Sequence, residues 1–327
     1  MAHGSTLMAS DRPLNEPVVS VVLPVRNGER WIRSCLESVA SQTFHDFEIV
    51  LVDDLCSDRS VDIALAMDLP QLRIVRGPGM GLARALALGV EEARGEFIAR
   101  LDVDDVAEPT RLAEQVKAFL DEPALVVVGS AAIQINDQDE VVGRIRVPET
   151  DRTIRINSVL FNPFIHSSTM VRKATVVEAG NYWAPSNEPY PEDFDLWLRM
   201  LKCGKAHNLQ APLVRYRKSD NSLMSMNSDL IRMRTAEICV HSALERFDER
   251  IVPPEKAHLL GFFHWRTNRV SPPDAWRLTL MLMRIRRSFG VRDADVDLAP
   301  STFLKPFAWM FLKGSINSPT KEGMGCA

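Results

Sequence analysis

Residues 18–54 read VVSVVLPVRNGERWIRSCLESVASQTFHDFEIVLVDD, and the change of period inside them decides the fold class. The run at 18–23 (VVSVVL) is nearly all apolar and β-branched, and it is expected to stop at Pro24 and the turn-prone Asn27-Gly28 pair. Residues 29–41 place Trp31, Leu36 and Val39 on one side of a helix. Residues 47–52 (FEIVLV) return to a continuous apolar run, closed by the polar turn DDLCSDRS at 53–60. The pattern continues with an Ala- and Leu-rich helix, a short strand at 72–75, a helix at 81–93 and a strand at 97–101. Apolar runs without alternation are what strands covered on both faces require. Strand–helix alternation at this spacing predicts an α/β, Rossmann-like, mostly parallel sheet flanked by helices.

Beyond residue 105 the alternation loosens. Residues 109–120 read as a helix with Pro109 near its start, and 125–129 as a strand. From 229 onward the pattern is helical, broken by Pro253-Pro254 and Pro272-Pro273. The expected organisation is a leader over 1–16, a catalytic domain over 17–225 and a helical C-terminal extension over 226–327. The polar leader lacks the apolar stretch of a signal peptide, and no run is long enough to predict a membrane span.

The chain has 327 residues, 46% apolar and 25% charged, with a net charge of −4, which gives no case for a nucleic-acid partner. The charge is uneven: from residue 230 onward 15 basic residues face 10 acidic ones, so that segment carries +5 and the rest −9. Five cysteines (Cys35, Cys56, Cys203, Cys239 and Cys326), odd in number and without CxxC spacing, argue against a disulfide framework or zinc site and fit a reducing cytoplasm. Residues 275–289 (AWRLTLMLMRIRRSF) form a basic helical pattern, with apolar Trp276, Leu280 and Met283 and, on another side, Arg277, Arg284 and Arg287. The segment 303–313 (FLKPFAWMFLK) adds aromatics between lysines. Both could rest on the inner face of the plasma membrane or pack against protein.

In an open parallel sheet, ligands bind beyond the carboxyl ends of the strands. Two acidic groups fall at such ends: Asp53-Asp54 after FEIVLV, and Asp102, Asp104 and Asp105 in LDVDD after FIARL. Three carboxylates within four residues repel one another unless solvated or neutralised, and a hard cation such as Mn²⁺ or Mg²⁺ with diphosphate oxygens would neutralise them. Read locally, they are also ordinary turn and cap aspartates. No glycine-rich phosphate loop is present, since GPGMGLARALALG lacks both GxGxxG and P-loop spacing. Glu192-Asp193, in PYPEDFDLWLRM, suit a helix start and equally a general base that takes a proton from a sugar hydroxyl. His166 is a structural hydrogen-bonder or a third metal ligand, Arg199 and Arg217 contact phosphate or pair with the acids, and Trp197 is core.

The stretch SVVLPVRNGERWIRSCLESVASQTFHDFEIVLVDDLCSDRS resembles the nucleotide-binding opening of glycosyltransferase family 2. GLARALALGVEEARGEFIARLDVDDVAEPTRLAEQVKAFL resembles that family's metal-binding stretch, and NPFIHSSTMVRK, PEDFDLWLRMLKCGK and PLVRYRKSDNSLMS follow in the family's order. The resemblance covers about residues 18–226. It implies the GT-A fold, bacterial polysaccharide synthesis, a nucleotide-sugar donor, a glycan or lipid-linked acceptor, inversion, and Mn²⁺ or Mg²⁺. Carried over, Pro24, Arg26, Asn27, Glu29, Asp54 and Arg84 would line the donor site. Asp102 and Asp104 would face ribose, diphosphate and metal, and Asp193 would be the base with Glu192 beside it. Three positions depart from the pattern: Arg26 in place of Tyr, Ala87 in place of Asn, and Leu55 where Gly is usual, so the 53–58 turn is expected to differ. A nucleotidyltransferase is the nearest rival, but PVRNGER is poor in glycine for one. An inactive binding relative would lack Asp104 or Asp193, and both are present.

Overall fold

The computed structural model describes residues 16–185, 189–218, 228–263 and 272–290. The leader except Glu16, the segment 303–313, Cys326 and the whole of the stretch SDNSLMS lie outside these residues. The chain divides into two compact units, Met1–Ile231 and Arg232–Ala327.

The first unit is built on one sheet. Strands β1 (Val19–Val25), β2 (Phe47–Asp53), β3 (Leu72–Arg76) and β4 (Phe97–Arg100) pair in parallel in the order β3-β2-β1-β4. Successive residues of β1 and β2 go to opposite faces. Val21, Leu23, Ile49 and Leu51 pack beneath helices α1 (Ile32–Ala40) and α4 (Arg111–Asp121). Val22, Val50 and Val52 pack with Ala85, Leu86 and Val90 of α3 (Leu82–Glu92) on the other side. Both faces are therefore dry, which is why these strands read as unbroken apolar runs. Helix α3 comes closest at Gly89, where a Cβ would stand 2.4 Å from Val22 Cγ1.

β1 does not stop at Pro24; it runs to Val25, and Pro24 pairs with Val52. The ladder with β4 ends at Val22, so the missing N–H of Pro24 falls where β1 has no partner on that side. Helix α2 (Ser60–Ala66) closes the β2–β3 connection.

Past residue 105 the sheet becomes mixed. It continues β4-β8-β6-β9-β5, with β8 (Met170–Arg172) antiparallel to β4 and β6, β6 (Leu125–Ile135) parallel to β9 (Lys205–Arg217), and β5 (Val106–Ala107) antiparallel to β9. β7 (Val141–Ile145) forms a hairpin with β6. Helices α5 (Asp151–Asn157), α6 (Lys173–Glu178) and α7 (Glu192–Met200) put Ile154, Val176, Leu196, Trp197 and Met200 on the α3 face. Trp197 is fully buried, as core.

The second unit holds most of α8 (Ser228–Arg246), a 3₁₀ segment (Pro254–Phe263) and α9 (Pro272–Ser288). Leu278, Met281 and Ile285 form the buried face of α9. Trp276, Leu280 and Met283 are exposed, on the side that also carries Arg287. No helix among the described residues is long and apolar enough to cross a membrane.

Candidate active site

The ends of β1, β2 and β4 lie side by side, with β1 in the middle. At about 4.8 Å between strands, the loops after β2 and β4 are about 10 Å apart. Beyond β1 and β2 three loops are sewn together by side chains the sequence assigned to the donor. Asn27, in the left-handed region at φ 58, accepts hydrogen bonds through Oδ1 from Ser57 N at 2.8 Å and Ser57 Oγ at 3.2 Å. Glu29 Oε2 accepts from Arg59 N at 3.1 Å, and the Glu29 N–H donates to Asp58. Asp54 is buried and accepts from Gly79 N at 2.7 Å and Gly81 N at 3.2 Å. Pro24 is buried beneath them, while Arg26 and Arg84 are exposed at the rim.

In the 53–58 turn Leu55 stands where glycine was expected. It sits at φ 63, in the region that favours glycine, and the turn is held by the Cys56 N–H donating to Asp53 Oδ1 at 2.8 Å. Room for its side chain comes from Gly79, where a Cβ would lie 2.3 Å from Leu55 Cδ1.

Beyond β4, Asp102, Asp104 and Asp105 bring one carboxylate oxygen each to within 4.8 Å of one another. Burial and then the charge of Asp102 push Asp104 up to about 6. Burial, Asp102 and Asp104 push Asp105 well above the carboxylate range. Asp105 Oδ1 accepts from Arg217 N at 2.6 Å, while its buried Oδ2 has no hydrogen-bond partner among the described residues. Asp105 thus joins the pair that the sequence singled out for a metal.

Two basic residues hold this turn. Arg217 is buried at the end of β9, where its Nε donates to Asp104 O at 2.8 Å and its Nη2 pairs with Asp139 Oδ1 at 2.6 Å. Its guanidinium also lies 3.9 Å from the ring centroid of Trp31. Its guanidinium thus pairs with Asp139 and a backbone carbonyl of the acidic turn, and only its backbone N–H meets a carboxylate of the acidic group, that of Asp105. Arg199 instead is tied to Asp195 within α7.

Arg100, the last residue of β4, was not singled out from the sequence. It is 2% exposed, contacts the Asp102 carboxylate and donates to Ser167 Oγ at 2.9 Å. Ser167 in turn donates to Asp102 Oδ2 at 3.0 Å. Burial would lower the pKa of Arg100, but Asp102 more than offsets this, so it stays charged. A lone basic residue inside the apolar strand FIARL is the signal that could have found it, because such a group is seldom buried unpaired.

His166 does not join the acidic trio. Its Nε2 lies 3.0 Å from the Tyr182 hydroxyl and its Nδ1 3.9 Å from Glu192 Oε1. Burial, then the charge of Arg100, lowers its pKa well below the ordinary range, so the ring is neutral. The geometry therefore corrects the metal-ligand reading of His166 to a neighbour of the acid pair.

That pair opens α7. Glu192 is buried, and burial followed by the charge of Asp193 pushes its carboxyl up to about 8. Asp193 is half-buried and also raised by burial. Its charged form is favoured by two donors, Asn162 Nδ2 to Oδ2 at 2.6 Å and Phe194 N to Oδ1 at 2.7 Å. Two adjacent acids in one setting cannot both ionise cheaply, and these donors leave the charge on Asp193.

Residues 20–176 match the family model Glycosyl transferase family 2. AmsE of Erwinia amylovora, an amylovoran biosynthesis glycosyltransferase, is 28% identical over 252 residues, 75% of this chain and 90% of AmsE. EpsE of Bacillus subtilis, itself named a candidate glycosyltransferase, is 30% identical over 212 residues, 63% of this chain and 75% of EpsE. Among solved structures, Staphylococcus aureus TarS 1-349 in complex with UDP-GlcNAc aligns over 83% of this chain and 82% of its own, at 19% identity and a TM-score of 0.60. The mannosyltransferase PcManGT of Pyrobaculum calidifontis, in complex with GDP-Man and Mn²⁺, covers 92% and 82% at 18% identity and a TM-score of 0.53. These likenesses give the fold as GT-A.

Proposed function

The chain belongs to glycosyltransferase family 2, and from that membership we propose that it moves a sugar, with inversion, from a nucleoside-diphosphate sugar, UDP-linked, to a hydroxyl of a glycan or lipid-linked acceptor. The observation that carries this reading is the division of carboxylates in the first unit: an acidic trio at the end of β4 and a separate, hydrogen-bonded Asp193 at the start of α7. One displacement with inversion needs a single base and no enzyme nucleophile. The acceptor oxygen bonds to the anomeric carbon, its proton passes to Asp193, and the bond from that carbon to the diphosphate oxygen breaks. Arg100 neutralises Asp102 and so lowers the cost of gathering a diphosphate and three carboxylates in one place.

The donor set fits a hard divalent cation, Mn²⁺ or Mg²⁺: it is all carboxylate, and Asp105 Oδ2 is buried without a partner among the described residues. Asp102 and Asp104 would hold it, with Asp105 beside them. When bound, such an ion supplies charge neutralisation for the leaving diphosphate. Pro24, Asn27, Glu29 and Asp54 shape the nucleoside pocket through the loops they hold, and the exposed Arg26 and Arg84 face the donor's phosphates or base. The Mn²⁺ complex of PcManGT and the UDP-GlcNAc complex of TarS support the ion and donor class.

A lipid-linked acceptor is met at a membrane face, and we assign that contact to α9. Its exposed Trp276, Leu280 and Met283 lie beside Arg277, Arg284 and Arg287, an apolar stripe with basic flanks that complements an anionic lipid surface. The test of the activity is nucleotide release from a panel of UDP-, GDP- and dTDP-sugars with Mn²⁺ and with chelator. Release from one donor that vanishes with chelator is expected; no metal-dependent release from any would refute the reading.

A further inference from the structure

The two segments that meet at Asp193 each carry an exposed aromatic ring. Among the described residues of the first unit, Phe161 and Trp183 are the large aromatic side chains left exposed, at 37% and 48%. The other Phe, Tyr and Trp residues described there are buried or partly buried. Phe161 precedes Asn162, whose amide donates to Asp193 Oδ2 at 2.6 Å. Trp183 follows Tyr182, whose hydroxyl meets His166, itself 3.9 Å from Glu192. Trp183 rests edge-on against Tyr190, with centroids 5.9 Å apart at 83°. Tyr190 is in turn fixed to the start of α7, where its carbonyl accepts from Glu192 N at 2.9 Å.

We propose that Trp183, braced by Tyr190, is the stacking platform for the acceptor's sugar ring. The faces of a pyranose ring are C–H surfaces and its rim is hydroxyl. An indole face covers the apolar side and leaves the hydroxyls free to reach a carboxylate. A large aromatic kept in water costs free energy unless a ligand covers it, and exposed apolar surface with convergent polar groups marks a ligand groove. The Tyr190 edge contact fixes the indole before the ligand arrives, so little ordering is needed on binding. The assignment names the acceptor class at this site as a saccharide and rests on the base role of Asp193.

The test is saturation-transfer NMR on the full chain with UDP and Mn²⁺ present, probing methyl glycosides of glucose, galactose, mannose and N-acetylglucosamine. Wild type should show transfer to ring C–H protons of at least one glycoside. Trp183→Ala should weaken that binding roughly tenfold, and Trp183→Phe, which keeps an aromatic face, only about two- to threefold. UDP affinity should be the same in all three proteins. Unchanged glycoside binding in Trp183→Ala, or no glycoside binding to wild type, overturns the platform. Failure of UDP with Mn²⁺ to bind wild type would instead refute the donor reading, while a loss of glycoside binding in Trp183→Ala would still support the platform.

Discussion

Replacing Glu192 with Gln separates the two acids at the start of α7. Glu192 is 8% exposed, and burial and then Asp193 lift its carboxyl from 4.5 to about 8. Near pH 7 it therefore holds its proton, and Gln copies a neutral acid in size and in having a donor and an acceptor. Asp193 keeps its charge through the N–H groups of Asn162 and Phe194. Glu192→Gln should then stay within roughly tenfold of wild-type kcat/KM near pH 7, whereas Asp193→Asn should lose about 10²–10⁴-fold, the usual worth of a general base. The same shift sets stability. A carboxyl raised in the folded state contributes stability that is complete below its unfolded pKa, near 4.5, and is lost as pH rises through about 8. At about 1.4 kcal/mol per pKa unit, the loss across that window is on the order of a few kcal/mol. The substituted glutamine does not titrate, so the variant's advantage in urea unfolding should be near zero below about pH 4.5 and grow up to about pH 8. Parallel stability–pH curves for the two proteins would refute the reasoning, as would Glu192→Gln falling as far in activity as Asp193→Asn.

Asp104→Asn should abolish the Mn²⁺-dependent part of UDP affinity while the fold survives; calorimetry showing unchanged affinity would contradict the assignment. Arg217→Lys keeps the charge but loses the fork that reaches Asp104 O and Asp139. It should cost roughly 1–3 kcal/mol in urea unfolding and weaken UDP·Mn²⁺ binding; if neither changes, Arg217 does not hold the metal turn. In flotation with phosphatidylglycerol vesicles at low salt, the full chain should float, and Trp276→Ser/Leu280→Ser/Met283→Ser should not. Equal recovery of both proteins would reject α9 as the contact.

The parallel half of the fold was legible because β1, β2 and β4 are covered on both faces, and an unbroken apolar run has few other uses. β5 is only two residues long, β7 has exposed Val141 and Val142, and β9 contains Pro212 and three register shifts against β6. None of these carries a period that a sequence pattern can register, and their pairing is set by contacts made across the fold.

The site divides on the same line. Asp102, Asp104 and Asp193 could be named because they punctuate elements at strand and helix ends. What holds them could not, because Arg100 reaches Ser167 and Arg217 reaches Asp105 across separations of 67 and 112 residues. Leu55 shows how such contacts override a local rule. A leucine at φ 63 is unfavourable by its own backbone, by about 1–2 kcal/mol. The strained turn is nonetheless fixed from both sides, by Asp53 on Cys56 and by Asp54 on Gly79 and Gly81, and the bare Cα of Gly79 receives the side chain. The glycine expected at position 55 is thus matched by one at position 79, on the loop that faces it. The departure at position 55 is, in space, a packing of two loops against each other in which Asp54 stays buried and bonded to the Gly79 and Gly81 amides.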